Sequence, residues 1–317
     1  MSFMEARKFA EDKDHSMRDK TMSLNEAVSK FVRDGDVIAL SSANYNRVAM
    51  AAVREIIRQH KSGLTVAKTL CAFDVELLMA ANLVKKIVSS WASIGVSWGV
   101  SALMRDRVET GKVEFEEWSN LGINLRLKAG AMGVPFLPTF SMMGSDLPKQ
   151  NGLKTVECPY TGVKLAAVPA LYPDIAVLHA QRADRYGNTI IEGTTAADPD
   201  IARAAKRVIV TVEEVVDTDD IRREADKTSV PSFLVDAVVH TPFGAHPYDC
   251  YGYYDLDYEH IDSYVNMVST KGVESAGEYL QEYVYSVKDH DGYLRKLPLE
   301  KIAEKIAMGR GIKRGWE

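Results

Sequence analysis

The sequence predicts an α/β protein with an open, mostly parallel β-sheet that is covered by helices on both faces. Two observations predict this class. Short apolar runs rich in β-branched residues alternate along the chain with segments of helical periodicity, which is the pattern of strands buried on both sides. No internal repeat, low-complexity tract or proline- and serine-rich linker divides the 317 residues. The chain is therefore long enough for a sizeable buried core.

Seven apolar runs are predicted strands, and most of the intervening segments are predicted helices. The predicted strands are 36–40, 64–67, 86–90, 164–168, 175–179, 207–212 and 233–240. The predicted helices are 24–32, 47–59, 74–81, 121–132 and 200–206. Ser23 precedes the first helix as a candidate N-cap, and Pro135 and Pro138 end the fourth one.

The domain organisation follows from this pattern. We predict that residues 1–22 form an N-terminal lead-in, that 23–297 form the α/β domain, and that 298–317 form a C-terminal tail. Residues after about 248 are aromatic and acidic and then helical, so they are expected to form an arm that packs on the sheet or on a partner.

Composition excludes several classes of protein. The net charge of -5 offers no basic excess for nucleic acid. Three well-separated cysteines give neither a disulfide framework nor a zinc cluster, which favours the reducing cytoplasm. The charged N-terminus has no apolar signal segment, and the uncharged run 87–104 contains five serines and two glycines, so we predict a buried strand and loop there and no membrane span.

Polar residues follow the first predicted strand, at the edge where ligands bind in open α/β sheets. Ser41, Ser42 and Asn44 lead to a helix start, and such a turn can offer backbone N–H groups to an anion. Plain helix capping explains the same residues equally well. Arg47 follows them, and its planar guanidinium suits a carboxylate ligand.

Two later segments offer further candidate residues. In the stretch 116–120, paired glutamates precede Ser119 and Asn120; the carboxylates suit acid–base or nucleophilic work, although on a surface turn they are more often solvated charges. In the stretch 142–146, Gly144 permits close approach of a ligand beside Ser145, although glycine is also an ordinary turn former.

Other polar segments have simpler interpretations. Gly187 and Asn188 are typical of a tight hairpin turn, and His246 is expected to be a hydrogen-bonded structural group. The sequence contains no GxGxxG, P-loop, GxSxG or HExxH motif, and its seven histidines show no ligand spacing. We therefore predict no metal site.

Taken in order, these segments resemble the A subunit of the family I coenzyme A transferases, and most nearly the glutaconate CoA-transferase type. The similarity runs from about Leu24 to about Leu297. The segments that carry it are DGDVIAL at 34–40, AAVREIIRQ at 51–59, GVPFLP at 133–138, GSD at 144–146, AVLHAQRADRYGNT at 176–189, VEEVVD at 212–217, IRREADKTSVP at 221–231, VDAVVHTPFGAHPYDCYGYYDLD at 235–257 and KDHDGYL at 288–294.

The resemblance implies the CoA-transferase fold, also described as NagB/RpiA-like, and a partner. In this family an A subunit pairs with a B-type subunit, in a heterotetramer or larger assembly, and a glutamate of the B subunit forms a glutamyl-CoA thioester. It implies acyl-CoA and a carboxylic acid as substrates, with no permanently bound cofactor. This chain would then hold no catalytic nucleophile, and its pocket candidates are Ser41, Ser42, Asn44, Arg47, Ser119, Asn120, Gly144 and Ser145.

Two alternatives stay open beside the transferase. Ring-opening, carbon–carbon hydrolases that resemble the same subunit carry a catalytic glutamate at the position of Asn120. An asparagine amide cannot serve as a base. If the alignment were shifted by one helical turn, Glu117 would take that position instead. The other alternative is a non-catalytic homologue that binds CoA esters. The stretch 41–43 replaces a Gly-Gly-Phe turn of the family, and 68–73 lacks the glycines of the glutaconate enzyme, so glutaconate is not carried over as the substrate.

Overall fold

The structure of the chain is a computed structural model that describes residues 2–41 and 44–314, with side chains as far as residue 311. It confirms the predicted α/β class. The strands are β1 (Val37–Leu40), β2 (Leu64–Ala67), β3 (Val84–Ser89), β4 (Glu114–Glu117), β5 (Phe136–Thr139), β6 (Lys154–Glu157), β7 (Lys164–Pro169), β8 (Ile175–Asp184), β9 (Thr189–Ile190), β10 (Arg207–Val216), β11 (Thr228–Val230) and β12 (Ala237–His240).

Seven of these strands form a wholly parallel sheet in the order β12-β10-β8-β1-β2-β3-β4. The short strands β9 and β11 join it in antiparallel pairing at the far end of β8. A separate antiparallel sheet has the order β5-β7-β6. In the part of the chain that the structure describes, every polar turn that follows a strand of the parallel set therefore begins at the same edge of that sheet.

Helices connect and cover the strands. Their bounds are α1 (Phe3–Asp12), α2 (Leu24–Phe31), α3 (Met50–Arg58), α4 (Phe73–Ala80), α5 (Ala102–Glu109), α6 (Asn120–Met132), α7 (Leu147–Gln150), α8 (Asp198–Ala204), α9 (Thr218–Arg223), α10 (Tyr258–Lys271), α11 (Ala276–Leu280), α12 (His290–Leu294) and α13 (Leu299–Arg314).

The sheet is buried on both faces, as its apolar strands require. Within β1, Ile38 and Leu40 pack into one core with residues of α2, α3, α4 and α10, whereas Ala39 packs into a second core with residues of α6 and α8. This alternation is the two-residue period of a strand. The predicted cover of helices on both faces is thus confirmed.

Three segments differ from the sequence prediction. The stretch 164–168 is a strand, but it belongs to the small antiparallel sheet, where β5 and β6 flank it. The stretch 114–117 is an edge strand in place of a turn, because Lys86 on β3 pairs across the ladder with Glu114 at 2.8 Å and Glu116 at 2.7 Å. The last predicted strand begins only at Ala237, because a 3-10 turn occupies 232–234.

Both terminal segments contact the domain. The lead-in contains α1, and the ammonium of Lys13 donates to Asp236 at 2.8 Å. The tail contains α13, whose Lys301 pairs with Asp257 at 3.1 Å. The arm that follows residue 248 packs within the molecule, for instance through Tyr264, whose ring centroid lies 4.7 Å from that of Phe73.

Candidate functional site

A cleft of about 420 Å³ lies at the carboxyl edge of the parallel sheet. Four chain segments line it: Asn44 after β1, Thr69 and Leu70 after β2, Asn120 and Asn124 on α6, and the stretch from Thr194 through Ala196 and Ala197 to Asp200 on α8. The cleft is thus where an open α/β sheet places its ligands. It brings together two of the predicted pocket residues, Asn44 and Asn120.

A chain of side-chain hydrogen bonds forms one wall of the cleft. The Thr69 hydroxyl donates to Asn124 Oδ1 at 2.9 Å, and Asn124 Nδ2 donates to Asn120 Oδ1 at 3.0 Å. These bonds fix the orientation of the Asn120 amide, because its oxygen is the acceptor. Asn120 is exposed, so its Nδ2 hydrogens are available to a ligand.

Asn44 carries a buried acceptor in the same cleft. Its Oδ1 has no hydrogen-bond partner among the residues that the structure describes. A buried polar atom without a partner costs about 1–3 kcal/mol. Because this oxygen is also closed off from solvent, it lies beneath the surface of the cleft and does not face a ligand.

Ser119 positions Asn120 by capping α6. Its hydroxyl accepts from the Gly122 N–H at 2.9 Å, in the N-cap arrangement. Gly122 has no space for a side chain, because an added Cβ would lie 2.9 Å from Met142 Sδ. The first turn of the helix is therefore held tightly, although Ser119 itself does not line the cleft.

Arg47 lies in the interior and not in the cleft. Its guanidinium pairs with Asp198 at 2.8 Å and donates to the backbone oxygens of His179 at 3.0 Å and Thr194 at 2.6 Å. Both side chains of the ion pair are fully buried. Arg47 therefore anchors the start of α8 through Asp198. The sequence led us to expect that its guanidinium would face a carboxylate ligand, but in the structure it does not reach the cleft.

Ser41 is also buried, and its role is structural. Strand β1 ends at Leu40, so β8 has no neighbouring strand on that side until β9 joins at Arg182. Ser41 Oγ accepts from the His179 N–H at 3.1 Å, and Arg47 donates to the oxygen of the same residue. The two side chains close this gap in the sheet. Ser42, the neighbouring candidate, lies outside the described residues.

Gly144 and Ser145 lie on an exposed turn after β5. Ser145 Oγ donates to the Met142 carbonyl at 2.8 Å, and a Cβ added at Gly144 would meet nothing within 4 Å. Neither residue lines the cleft. Met142 connects this turn to the first turn of α6 by packing in the core with Trp118.

The two glutamates of the 116–120 stretch have different surroundings. Glu116 accepts from Lys86 at 2.7 Å and from Arg126 at 2.6 Å. Its partial burial opposes ionisation, but the hydrogen bonds from Lys86 and Trp118 outweigh burial and lower the pKa of its carboxyl. Glu117 is exposed and lines a neighbouring cleft with Trp91 and Phe115. Neither glutamate lines the Asn120 cleft.

His246 is a structural group, as the sequence predicted. Its Nε2 lies 3.1 Å from Asp257 Oδ2 and its Nδ1 lies 2.7 Å from the Tyr293 hydroxyl. Burial lowers the pKa of the imidazole to about 4. With Asp257 and His260 it forms one of two clusters, among the residues that the structure describes, whose side-chain types could hold a metal ion.

The other such cluster contains His179, Glu213 and Cys250. His179 Nε2 lies 2.7 Å from Glu213 Oε1, and that carboxylate also accepts from the Tyr254 hydroxyl at 2.6 Å and the Phe243 N–H at 2.7 Å. Hydrogen bonds within the protein already engage the ligand atoms of His179 and Glu213. The cluster therefore has a sufficient structural explanation.

Sequence reasoning missed the cleft residues after β2, on α6, and in and just before α8, namely Thr69, Leu70, Asn124, Thr194, Ala196, Ala197 and Asp200. A signal for part of this set was present. The stretch 193–196 (GTTA) is a run of small and hydroxyl residues directly before a helix, at the same edge as the other polar turns. Asn124 gave no such signal, because an asparagine within a helix is ordinary on any exposed face.

The fold and the cleft define an α/β protein that presents an open, amide-lined cleft at the carboxyl edge of its sheet. No helix among the described residues is long and apolar enough to span a bilayer. The family model for coenzyme A transferase matches residues 21–241. The chain belongs to the coenzyme A transferase family.

Relatives in this family cover most of the chain. The chain is 36% identical to the A subunit of glutaconate CoA-transferase from Acidaminococcus fermentans, over 92% of its own length and 96% of that protein. It is 37% identical to the A subunit of 3-oxoadipate CoA-transferase from Pseudomonas knackmussii, over 87% and 97% of the two chains. An uncharacterized protein of Archaeoglobus fulgidus is 43% identical over 93% of this chain, which spans 66% of that longer protein.

The fold agrees with a solved structure of the same family. The crystal structure of glutaconate coenzyme A-transferase from Acidaminococcus fermentans matches with a TM-score of 0.85 at 36% sequence identity, over 90% of this chain and 94% of that one. The predicted open, mostly parallel sheet is therefore the fold of the family.

Proposed function

We propose that this chain is the A-type subunit of an enzyme that moves coenzyme A between carboxylic acids, and that its active site is completed by a B-type subunit. The observation that carries the proposal is the carboxyl-edge cleft, in which the exposed Asn120 presents an amide donor while its oxygen is held by Asn124. The relatives named as A subunits of CoA transferases support it.

The proposed chemistry divides one acyl exchange into steps that each pass through a covalent intermediate. A glutamate on the B-type partner attacks the thioester carbonyl, expels the CoA thiolate and leaves an acyl-glutamyl anhydride. The thiolate then attacks the glutamyl carbonyl, releases the first carboxylic acid and gives a glutamyl-CoA thioester. The acceptor carboxylate reopens that thioester by the reverse steps, so no water is consumed.

In this scheme Asn120 donates from Nδ2 to the carbonyl oxygen that gains negative charge. Its orientation is already fixed by Asn124 at 3.0 Å, which keeps the amide oxygen away from that position. A fixed donor costs no reorganisation during the reaction, and loss of one such donor typically lowers kcat by about 100- to 1000-fold. Ser119 and Arg47 act as positioning residues for the two ends of the cleft.

A ring-opening hydrolase is the second candidate, and the placement of Glu117 weighs against it. An enzyme of that kind would need a carboxylate base in the cleft. The position that would supply it holds the amide of Asn120, and Glu117 lines the neighbouring cleft instead. The carboxylate that does line the cleft, Asp200, is paired with Lys128 at 3.1 Å.

The proposal is tested by co-expression with a B-type subunit. We expect the chain alone to be inactive and the assembled enzyme to exchange CoA between an acyl-CoA and an acceptor acid. Borohydride treatment in the presence of acyl-CoA should label a glutamate of the partner. Asn120→Ala should lower kcat at least about tenfold, whereas Glu117→Gln should leave it unchanged.

Three results would contradict the proposal. Activity of the isolated chain would remove the need for a partner. Incorporation of water into product without an acceptor acid, together with inactivation by Glu117→Gln, would favour the hydrolase. If calorimetry showed that the assembled protein binds no CoA ester, the protein would lack the substrate site that a CoA transferase requires. The size of the assembly and a cytoplasmic location stay predictions.

A further inference from the structure

The small antiparallel sheet β5-β7-β6 is apolar on both of its faces. Neighbouring residues of a strand point to opposite faces, and directly paired residues of two strands share a face. On the central strand β7, Ala166 and Val168 are fully buried, and Val168 packs in the core with residues of α6. This inner face joins the small sheet to the rest of the domain.

The opposite face, the outer face, points away from that core. The pairing of β5 and β6 with β7 gives it six apolar residues and one charged residue, and none of the seven is buried. They are Phe136, Pro138, Val156, Leu165, Ala167, Pro169 and Lys154. An antiparallel sheet with one face in water normally has polar residues on that face. The pattern therefore indicates that another surface covers the outer face.

The terminal helices of the chain are attached elsewhere. Lys13, which follows α1, donates to Asp236 at 2.8 Å. Lys301 on α13 pairs with Asp257 at 3.1 Å. The outer face is thus left for another molecule to cover.

The size of the outer face indicates the kind of contact. Strand spacing and residue rise give it dimensions of about 14 Å by about 20 Å, or roughly 300 Å². Phe140 and Val163, which are 68% and 42% exposed, extend it at the ends of β5 and β7. An apolar patch of this size is near the largest that a soluble monomer exposes, and is often functional. Permanent complexes usually bury about 2,000 Å² or more in total, so the area suits a reversible contact.

We infer that the outer face is where two copies of this chain pack on each other, sheet against sheet. A twisted sheet packs well on a sheet of the same twist, which a second copy supplies. A twofold axis along β7 places β6 of one copy over β5 of the other. Because Lys154 and Pro138 both pair with Ala167, Lys154 then lies over Pro138 of the other copy, and the two lysines stay apart.

A B-type subunit is the other candidate for this face, and its required position argues against it. The proposed active site needs that subunit at Asn120, at the carboxyl edge of the parallel sheet. The outer face is separated from the parallel sheet by α6, which contacts β3 on one side and β5 and β7 on the other. Contact between two copies leaves the carboxyl edge open, and it does not depend on the transferase function.

The test measures the mass of the full chain by sedimentation equilibrium. We expect the chain alone to move from 35.2 kDa toward twice that mass as its concentration rises through the micromolar range. Leu165→Lys should raise the dissociation constant at least about tenfold, because each dimer would bury two unpaired ammonium groups. Phe140→Ser should also weaken the dimer, and its exposed position makes misfolding no explanation.

The matched control is Leu299→Lys on α13, where the side chain is 82% exposed and lies outside the outer face. It should leave the dissociation constant unchanged. In the enzyme assembled with its B-type subunit, Leu165→Lys should halve the mass while the two kinds of subunit stay in equal amounts and kcat is unchanged.

Several results would overturn the inference. One is a chain that stays at 35.2 kDa at every concentration, or an assembled parent enzyme that holds a single copy of it. Another is a Leu165→Lys dimer as tight as that of the parent. Release of the B-type subunit by Leu165→Lys would show that this subunit covers the outer face instead. Absence of CoA exchange in the parent enzyme would count against the proposed function alone.

Discussion

At the scale of single residues, the interior of this chain holds polar groups whose surroundings determine their charge. Glu76 on α4 is fully buried and accepts from Ser101 at 2.6 Å and from Tyr264 at 2.8 Å. It connects α4 with α10 and with the N-cap of α5. Burial raises the pKa of its carboxyl to about 7 from an ordinary value of 4.5.

This shift predicts a stability that falls as pH rises. Between about 4.5 and about 7 the folded chain keeps a proton on Glu76 that the unfolded chain has released, so the free energy of unfolding decreases across that window. Glu76→Gln stays neutral, and its stability relative to the parent should improve by about 2 kcal/mol between pH 5 and pH 8. Urea denaturation at the two pH values measures the change.

The control for this prediction is Glu278→Gln, at a carboxylate on α11 that is more than half exposed and paired with Lys271 at 2.6 Å. Its difference from the parent should be nearly the same at both pH values. An equally flat difference for Glu76→Gln would show that the buried carboxyl is ionised throughout the range.

At the scale of the element, α6 is the helix on which the cleft depends. Two helices offer a matched comparison, because Ser119 caps α6 and Ser23 caps α2 through the same type of hydrogen bond. Loss of either cap should lower the free energy of unfolding by about 1 kcal/mol. Only the first should affect function, since the residue that follows Ser119 is Asn120.

The expected result is that Ser119→Ala and Ser23→Ala lose similar stability in denaturant, while Ser119→Ala alone lowers kcat/KM of the assembled enzyme. Equal activity of the two variants would mean that the hydrogen bond from Asn124 suffices to hold Asn120. A loss of activity in Ser23→Ala would instead indicate a general effect of stability on assembly.

Elements differ in how well the sequence predicted them. Strands β1, β2, β8 and β10 were predictable because continuous apolar runs have few other uses in a chain of this kind. Strand β4 was not, because its EFEE sequence resembles a solvated turn until Lys86 is placed beside it. The small sheet was missed because β5 contains Pro138 and β6 is mostly exposed, so neither carries the pattern of a buried strand.

The sequence predicted where in the fold the candidate site lies better than it predicted which residues line it. Turns after the strands indicated the correct edge, because parallel strands share it. Residue type could not separate Asn44, which lines the cleft, from Arg47, which is buried beneath it three positions later. That distinction depends on Asp198, which is 151 residues away in the chain.

At the scale of the whole molecule, the C-terminal helix α13 packs on the domain with its backbone close to that of Tyr254. A Cβ added at Gly309 on α13 would lie 2.4 Å from Tyr254 Cα, whereas one added at Gly311 would meet nothing within 4 Å. We therefore expect Gly309→Ala to push α13 outward and to lower the free energy of unfolding by about 1–3 kcal/mol.

Gly311→Ala is the control and should be neutral or stabilising by up to about 1 kcal/mol, because alanine favours a helix more than glycine does. Thermal melting and limited proteolysis of the C-terminal segment measure both variants. Similar behaviour of the two would indicate that α13 is not docked on Tyr254 in solution.

The gap beside β8 has a consequence for anyone who wishes to change the ligand preference of this protein. A neighbouring strand offers hydrogen bonds through a backbone common to all residue types, but here Ser41 and Arg47 provide them with side chains. A substitution at either position would remove a hydrogen bond to the His179 backbone, and would disturb the sheet before it changed the ligand preference. Asp200 is the safer starting point, because it is half-exposed and can be replaced without opening the sheet or releasing Asn120 from Asn124.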